Sequence, residues 1–155
     1  NLNYMKKLIL IIFVLFLSFQ DINAQIEYKI ITSVESIVPS GLGRSRIISS
    51  VEERDFKDFT SEQTKEDHTR NKSHRKDIRV KDFEETKLLN FYNIAGIRFQ
   101  NIAANDAVIS SKINGMIEDG WELAFVTSAV ESDSGKNDGQ GIFITRYIFK
   151  RTKMD

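Results

Sequence analysis

Apolar and polar positions alternate with a period of two along residues 25–38, which is typical of a β-strand with two unlike faces. One face carries Ile26, Tyr28, Ile30, Thr32, Val34, Ser36 and Val38. The opposite face carries Glu27, Lys29, Ser33 and Glu35, with Ile31 and Ile37 as apolar exceptions. Pro39 ends the strand because it has no amide hydrogen to donate to a neighbouring strand, and residues 40–43 predict a turn.

Four further strands are predicted, over residues 44–51, 86–92, 121–130 and 141–151. The polar, glycine-containing loop 131–140 joins the last two strands as a hairpin. We expect the second and third strands to pair as well. The pattern therefore predicts an α+β fold, a mainly antiparallel sheet of four to five strands with one main helix packed on a face.

That helix is predicted over residues 104–119. Helical spacing places five apolar side chains on one face, which we expect to be buried: Val108, Ile109, Ile113, Met116 and Ile117. Asn105 is expected to cap the start of the helix, and Gly120 to end its last turn. A glycine inside a helix, such as Gly115, lowers helix stability by about 1 kcal/mol relative to alanine. Close packing of the helix on the sheet would explain a glycine at this position.

The last strand is apolar on both faces. Its two sets are Phe143, Tyr147 and Phe149, and Ile142, Ile144 and Ile148. One helix covers one face of a sheet, so the other face needs residues 94–102, curvature of the sheet, or a second molecule. Self-association through the sheet face is one hypothesis that follows.

Residues 52–82 differ from the rest of the chain, with nine acidic and nine basic residues and no large apolar side chain between Thr60 and Asp77. Such a stretch buries too little apolar surface to offset its ordering entropy. We expect a charged, disordered or loosely helical insertion outside the core.

Residues 1–24 have the three parts of a secretory signal peptide. Met5-Lys6-Lys7 is a basic start, Leu8–Leu17 is an unbroken apolar run, and Ala24 is a small residue before a cleavage point. Residues 1–4 precede the start residue Met5 and are interpreted as an over-extension of the gene model. A membrane-spanning helix needs about 20 apolar residues, twice this run, so no stable membrane anchor is expected after cleavage. We therefore expect export to the periplasm or the extracellular space, with residues 25–155 as a single domain.

The cysteine content and the charge balance exclude several kinds of covalent link and one class of partner. The chain has no cysteine, which excludes disulfides and a lipid-anchored cysteine. Its 22 basic and 22 acidic residues balance, so there is no electrostatic case for binding nucleic acid.

One string predicts a ligand site: Gly41, Gly43, Arg44, Ser45 and Arg46. Backbone N–H groups at a glycine-rich turn form an anion-binding concavity, and arginines add a fork for phosphate or carboxylate. The alternative is a turn with solvated or ion-paired arginines.

Other candidates are weaker. His68 and His74 lie six residues apart in the charged segment, which is not a metal-ligand spacing, and no metal or cofactor is predicted. Asp133, Asn137 and Asp138 lack the ligand alternation of a calcium loop. Trp121 is interpreted as a core anchor, with a ligand-stacking platform as the alternative.

The strings Glu27-Tyr28-Lys29, Gly120-Trp121-Glu122-Leu123 and Phe149-Lys150-Arg151 resemble the bacterial domains of unknown function in the family numbered 4177. The chain also resembles longer exported bacterial proteins that carry VESIVPSGLGRSR and GIFITRYIFKR. Both resemblances imply an α+β fold, and neither implies a mechanism.

No catalytic set is recognised, so the sequence favours an exported, non-enzymatic module that binds a protein, an envelope component or itself. The first alternative is a small anion or ligand binder that uses the Gly41–Arg46 turn. The second is a hydrolase with a carboxylate-only site, such as Glu118 and Asp119 with Glu122.

Overall fold

The computed structural model describes residues 4–7, 25–36, 45–93, 95–130 and 141–153. The chain divides into two units, residues 1–27 with 152–155 and residues 28–151. In the first unit residues 4–7 are helical, and the Lys153 amide donates to the Gln25 carbonyl at 2.7 Å. The hydrophobic core lies in the second unit.

The described strands are β1 (Ile26–Ser36), β2 (Arg46–Ser50), β3 (Phe83–Lys87), β4 (Tyr92–Asn93), β5 (Gly96–Ile97), β6 (Glu122–Val130) and β7 (Ile142–Thr152). Five of them form one sheet in the order β3-β2-β1-β7-β6, while β4 and β5 form a separate two-stranded sheet. The pairs β1–β2, β2–β3 and β6–β7 are antiparallel. The predicted α+β fold is therefore confirmed.

Strand β3 begins three residues before the predicted third strand and ends before its apolar residues. It lies at an edge of the sheet and pairs with β2 through its backbone, so its side chains are mostly charged. Leu88, which follows it, enters the core. The apolar run marks where the chain turns inward, not where it pairs.

Besides the helical residues 4–7, the structure describes α1 (Arg75–Ile78), α2 (Phe99–Glu118) and a 3₁₀ turn at Phe56–Phe59. Helix α2 begins five residues before the predicted start. Its N-cap residue is Arg98, which makes no capping hydrogen bond with its side chain. The prediction that Asn105 caps this helix is wrong, because Asn105 lies inside the helix and is 1% exposed.

The end of α2 follows the predicted pattern. The Trp121 amide donates to the Met116 carbonyl at 2.9 Å, and the Gly120 amide donates to the Ile117 carbonyl at 3.0 Å. These bonds form a Schellman motif around Gly120, whose φ of 82° favours glycine. The prediction that the helix packs closely on the sheet at Gly115 is wrong, because a Cβ at this position would have no neighbouring atom within 4 Å.

The core lies between α2 and one face of the sheet. Its buried members are Ile31, Ile47, Leu88, Met116, Trp121 and Phe149, with Val108, Ile109, Ile113, Leu123 and Tyr147 packed against them. Four of the five apolar side chains predicted on the buried face of the helix therefore pack in or against the core. The prediction that Ile117 is buried is wrong, because this side chain is half exposed. Ile31 and Ser33 are the buried positions of β1 beneath the helix, so the less apolar face of that strand enters the core.

A buried amide fixes the position of α2 on the sheet. The Asn105 side chain donates from Nδ2 to the Leu89 carbonyl at 2.8 Å and to Glu35 Oε1 at 2.9 Å. Its Oδ1 accepts from the Leu89 amide at 2.8 Å. One residue therefore joins the helix to β1 and to the segment after β3, and satisfies the backbone of Leu89 in both directions.

The charged segment 52–82 contributes no buried side chain. Its two ends meet at Glu52, whose Oε1 accepts from the amides of Lys81 and Asp82 at 2.7 and 2.6 Å. The Arg54 guanidinium also bonds this carboxylate. The Asp82 amide, then Arg54 and the Lys81 amide, lower the pKa of Glu52 to about 2.

We expect the amide resonances of Lys81 and Asp82 to titrate with a midpoint near pH 2 in a proton–nitrogen NMR titration of the chain. A lowered pKa means that the ionised Glu52 carboxylate holds both amides at neutral pH, and that this contact is lost as the pH falls through the folded-state value. In Glu52→Gln the step near pH 2 should disappear. A midpoint close to the ordinary value of 4.5 would show that the contact is not formed.

Candidate interaction surface

The face of the sheet opposite α2 carries a large apolar side chain on every strand, and we call it the open face. Residues alternate between the two faces along a strand, and directly opposed residues on neighbouring strands share a face. Ile148 opposes Phe125, and Ser50 opposes Phe83. The apolar members of the open face include Tyr28 and Ile30 on β1, Ile48 on β2, Phe83 on β3, Phe125 on β6 and Ile148 on β7.

Four of these side chains are exposed to an unusual degree for their size. Tyr28 is 64% exposed, Phe125 61%, Ile30 51% and Phe83 47%. The isoleucines at 48 and 148 are half-buried between them. Single exposed apolar residues are normal on a protein surface, whereas a contiguous set that spans a sheet is typical of a binding surface.

Charged residues border this apolar strip. Arg46 forms an ion pair with Glu85 at one end, and Lys150 lies 3.2 Å from Glu122 at the other. Exposed ion pairs of this kind contribute about 0–1 kcal/mol to stability, so their main effect is on the character of the surface. An apolar centre with a polar rim is the usual composition of a protein–protein interface.

The contacts of the described residues of 94–102 lead to the helix side of the sheet. The Arg98 amide donates to the Phe91 carbonyl at 2.7 Å, and the Phe91 ring contacts the ring of Phe143 with centroids 5.6 Å apart. Phe143 lies on the same side of β7 as Phe149, which is the helix side. Ile97 is itself half exposed. These contacts lie on the helix side, so among the three alternatives for covering the second face they do not favour residues 94–102.

The predicted anion site is only partly within the described residues: Gly41, Gly43 and Arg44 lie outside them. Ser45 is buried, its hydroxyl donates to Asn90 Oδ1 at 2.7 Å, and its Oγ accepts from the Ser36 amide at 3.0 Å. Arg46 is paired with Glu85 on the open face. These two side chains support the ends of β1 and β2, and anion binding by the turn stays a prediction.

Trp121 is a core anchor, as the sequence favours. Its side chain is 8% exposed, and the Arg151 guanidinium carbon lies 4.2 Å from the ring centroid. Such a cation–π contact contributes about 0.5–2 kcal/mol. The ring therefore packs between the core and a cation and is not a platform for a ligand.

The other predicted candidates gain no support within the described residues. His68 and His74 are both exposed, and no cluster of three or more potential metal ligands occurs in the described part of the chain. Asp133, Asn137 and Asp138 lie outside the described residues. Glu118, Asp119 and Glu122 are exposed at the end of α2 and the start of β6.

A groove of about 310 Å³ between β3 and α2 has no counterpart among the sequence predictions. It is lined by Thr86, Val108, Ser111, Lys112, Gly115, Met116 and Asp119. Lys112 donates from Nζ to Glu84 Oε2 at 2.9 Å and lowers the pKa of that carboxyl. Gly115 lines the groove, and the space beside it is open.

Comparisons with models of known protein families, with curated proteins and with solved structures find no match to this chain. The resemblance to the family numbered 4177 stays a prediction. Among the described residues no helix combines the length and the apolar character needed to cross a bilayer.

Proposed function

We propose that this protein is an exported, non-enzymatic interaction module that binds a protein partner through the open face. One observation carries the proposal: four large apolar side chains on β1, β3 and β6 are 47–64% exposed on one face of a folded sheet. A chain that folds alone gains free energy by burying such groups, at about 25 cal/mol per Å² of apolar surface. Because these side chains are exposed on the free chain, the free energy of burying them is available for binding a partner.

The distribution of residues on β1 supports the same proposal. The strand buries Ile31 and Ser33 beneath the helix and exposes Tyr28 and Ile30 on the other side. A strand selected only for stability would turn its more apolar face toward the core. The signal-like segment over residues 1–24 supports the exported location.

Photo-crosslinking in the cells that make the protein tests the proposal. The aromatic residues Tyr28 and Phe83 are each replaced by benzoylphenylalanine, which changes little at an exposed ring position. Ultraviolet light is expected to give a discrete adduct from both sites, at least about tenfold above background, because a bound partner covers them. The mass of the adduct identifies the partner, and the intact mass of the free chain reports whether it begins at Gln25.

The matched controls are Phe56 and Phe99, which are 71% and 74% exposed and lie on the 3₁₀ turn and on helix α2 instead of on a strand of the sheet. Benzoylphenylalanine at these two positions should give no discrete adduct. Equal crosslinking from all four sites, or none from Tyr28 and Phe83, would show that the open face is not a binding surface.

A further inference from the structure

The two edges of the sheet differ in their protection against pairing with another chain. Strand β3 forms one edge with five residues, of which Glu84, Glu85 and Lys87 are charged. Strand β6 forms the other edge with nine residues, and from Leu123 to Val130 it contains no charge and no proline. Soluble proteins usually shorten or charge an exposed edge strand to prevent pairing, so β3 is protected and β6 is not.

Both sides of β6 are accessible beyond its first residues. Phe125 is 61% exposed on the open face, while Val126 and Val130 are 44% and 58% exposed on the helix side. Helix α2 therefore does not extend over this half of the strand. Among the described strands β6 has β7 as its one neighbour, so alternate residues direct backbone N–H and C=O groups away from the sheet.

We propose that β6 pairs in antiparallel orientation with β6 of a second copy, centred on Thr127 or on Ser128 within residues 125–130, which joins two five-stranded sheets into one of ten strands. An antiparallel pair of identical strands has a two-fold axis through one residue and its copy. Thr127 and Ser128 are the central residues of the segment, and no like charges meet within it. A register shift between Leu123 and Phe125 ends the regular ladder on one side.

This inference concerns a surface other than the open face and does not depend on it. Pairing at the edge leaves Tyr28 and Phe83 free to bind a partner. It keeps the two Phe125 side chains on the same side of the joined sheet, so the open faces of the two copies become continuous.

The absence of cysteine from the chain permits a direct test by disulfide trapping. Val126, Ser128 and Thr127 are each replaced by cysteine in the full chain, and the variants are oxidised singly and as a mixture of V126C with S128C. If the axis passes through Ser128, S128C crosslinks to its own copy. If the axis passes through Thr127, T127C crosslinks to its own copy, and V126C crosslinks to S128C in the mixture. In both patterns a disulfide forms on the helix side, within the Cα separation of about 4.4–6.8 Å that a disulfide needs.

The matched controls are E85C and T86C on the protected edge, which should remain at least about tenfold less crosslinked than the β6 variants. A crosslink at T127C alone would indicate contact between open faces and would overturn edge pairing. Crosslinks confined to β3, or none on β6, would overturn it as well.

Analytical ultracentrifugation of the chain recovered from expressing cells gives an independent measurement. The wild-type chain is expected to sediment as a dimer at micromolar concentration. V126K should weaken dimerisation at least about tenfold because it places a charged lysine within the paired segment of each copy. V126T, which keeps a β-branched neutral residue, should remain dimeric. A wild-type monomer throughout the micromolar range would overturn the proposal. Photo-adducts at Tyr28 and Phe83 that persist in V126K would show that the two surfaces act separately.

Discussion

Phe149→Ala is expected to lower the free energy of unfolding by about 3–5 kcal/mol, because it removes a large side chain from a closed part of the core. Phe149 is 0% exposed. It opposes Leu123 on β6 and packs with Ile31, Ile109 and Ile113 where the helix meets the sheet. The space it leaves is lined by side chains fixed on three strands and a helix, so little of it can be filled by relaxation.

Urea denaturation followed by Trp121 fluorescence measures this loss. Phe125→Ala is the matched control, because the same ring is removed from the neighbouring strand at a site that is 61% exposed. We expect the control to lose no more than about 1 kcal/mol. Similar losses for the two variants would mean that the sheet is covered on both faces, and would contradict the open face itself.

Asn105→Ala is expected to lower the free energy of unfolding by about 2–4 kcal/mol. The substitution leaves the amide and the carbonyl of Leu89 without their partner in a buried place, and each unsatisfied group costs about 1–3 kcal/mol. It also removes the contact from the helix to Glu35 on β1. Improved helix propensity offsets only about half a kcal/mol of this loss.

Asn114→Ala is its control, since it makes the same change at an exposed position of the same helix and should be neutral or slightly stabilising. Hydrogen exchange adds a local measurement, because the Leu89 amide should exchange faster in Asn105→Ala than in the wild-type chain. An unchanged Leu89 amide together with an unchanged unfolding free energy would contradict the assigned role of Asn105.

Much of the fold follows from periodicity alone. Period-two alternation locates β1, β6 and β7, the loop 131–140 predicts that the last two pair, and the spacing from Val108 to Met116 gives the buried side of the helix. These elements are predictable because their side chains are sorted by burial. Gly120 is predictable for a different reason, since a left-handed residue ends a helix wherever it occurs.

The errors arise where a residue acts through a distant partner. Asn105 has the side chain of a helix cap, and only the position of Leu89 on a different element makes it a buried connector. The first turn of α2 has no capping side chain at Arg98 to mark its start. Local propensity carries no information about such tertiary contacts.

The sequence predicts that one face of the sheet lacks cover, but it does not predict which residues form that face. The apolar character of β7 on both faces indicates that something must cover the second one. Which face of β1 the helix occupies is decided by the packing of Ile31 and Ile47, and alternation along one strand does not specify it. The difference between the two edges of the sheet needs the strand order, which no single strand reveals.

The contact between Glu52 and the amides of Lys81 and Asp82 closes the charged segment at its base, beside the paired ends of β2 and β3. The entropy of closing a flexible loop changes by only about 0.6 kcal/mol when the loop doubles in length. Residues 60–73 are therefore a position at which a reporter peptide, an affinity tag or a small folded domain can be inserted with the strands still held in register.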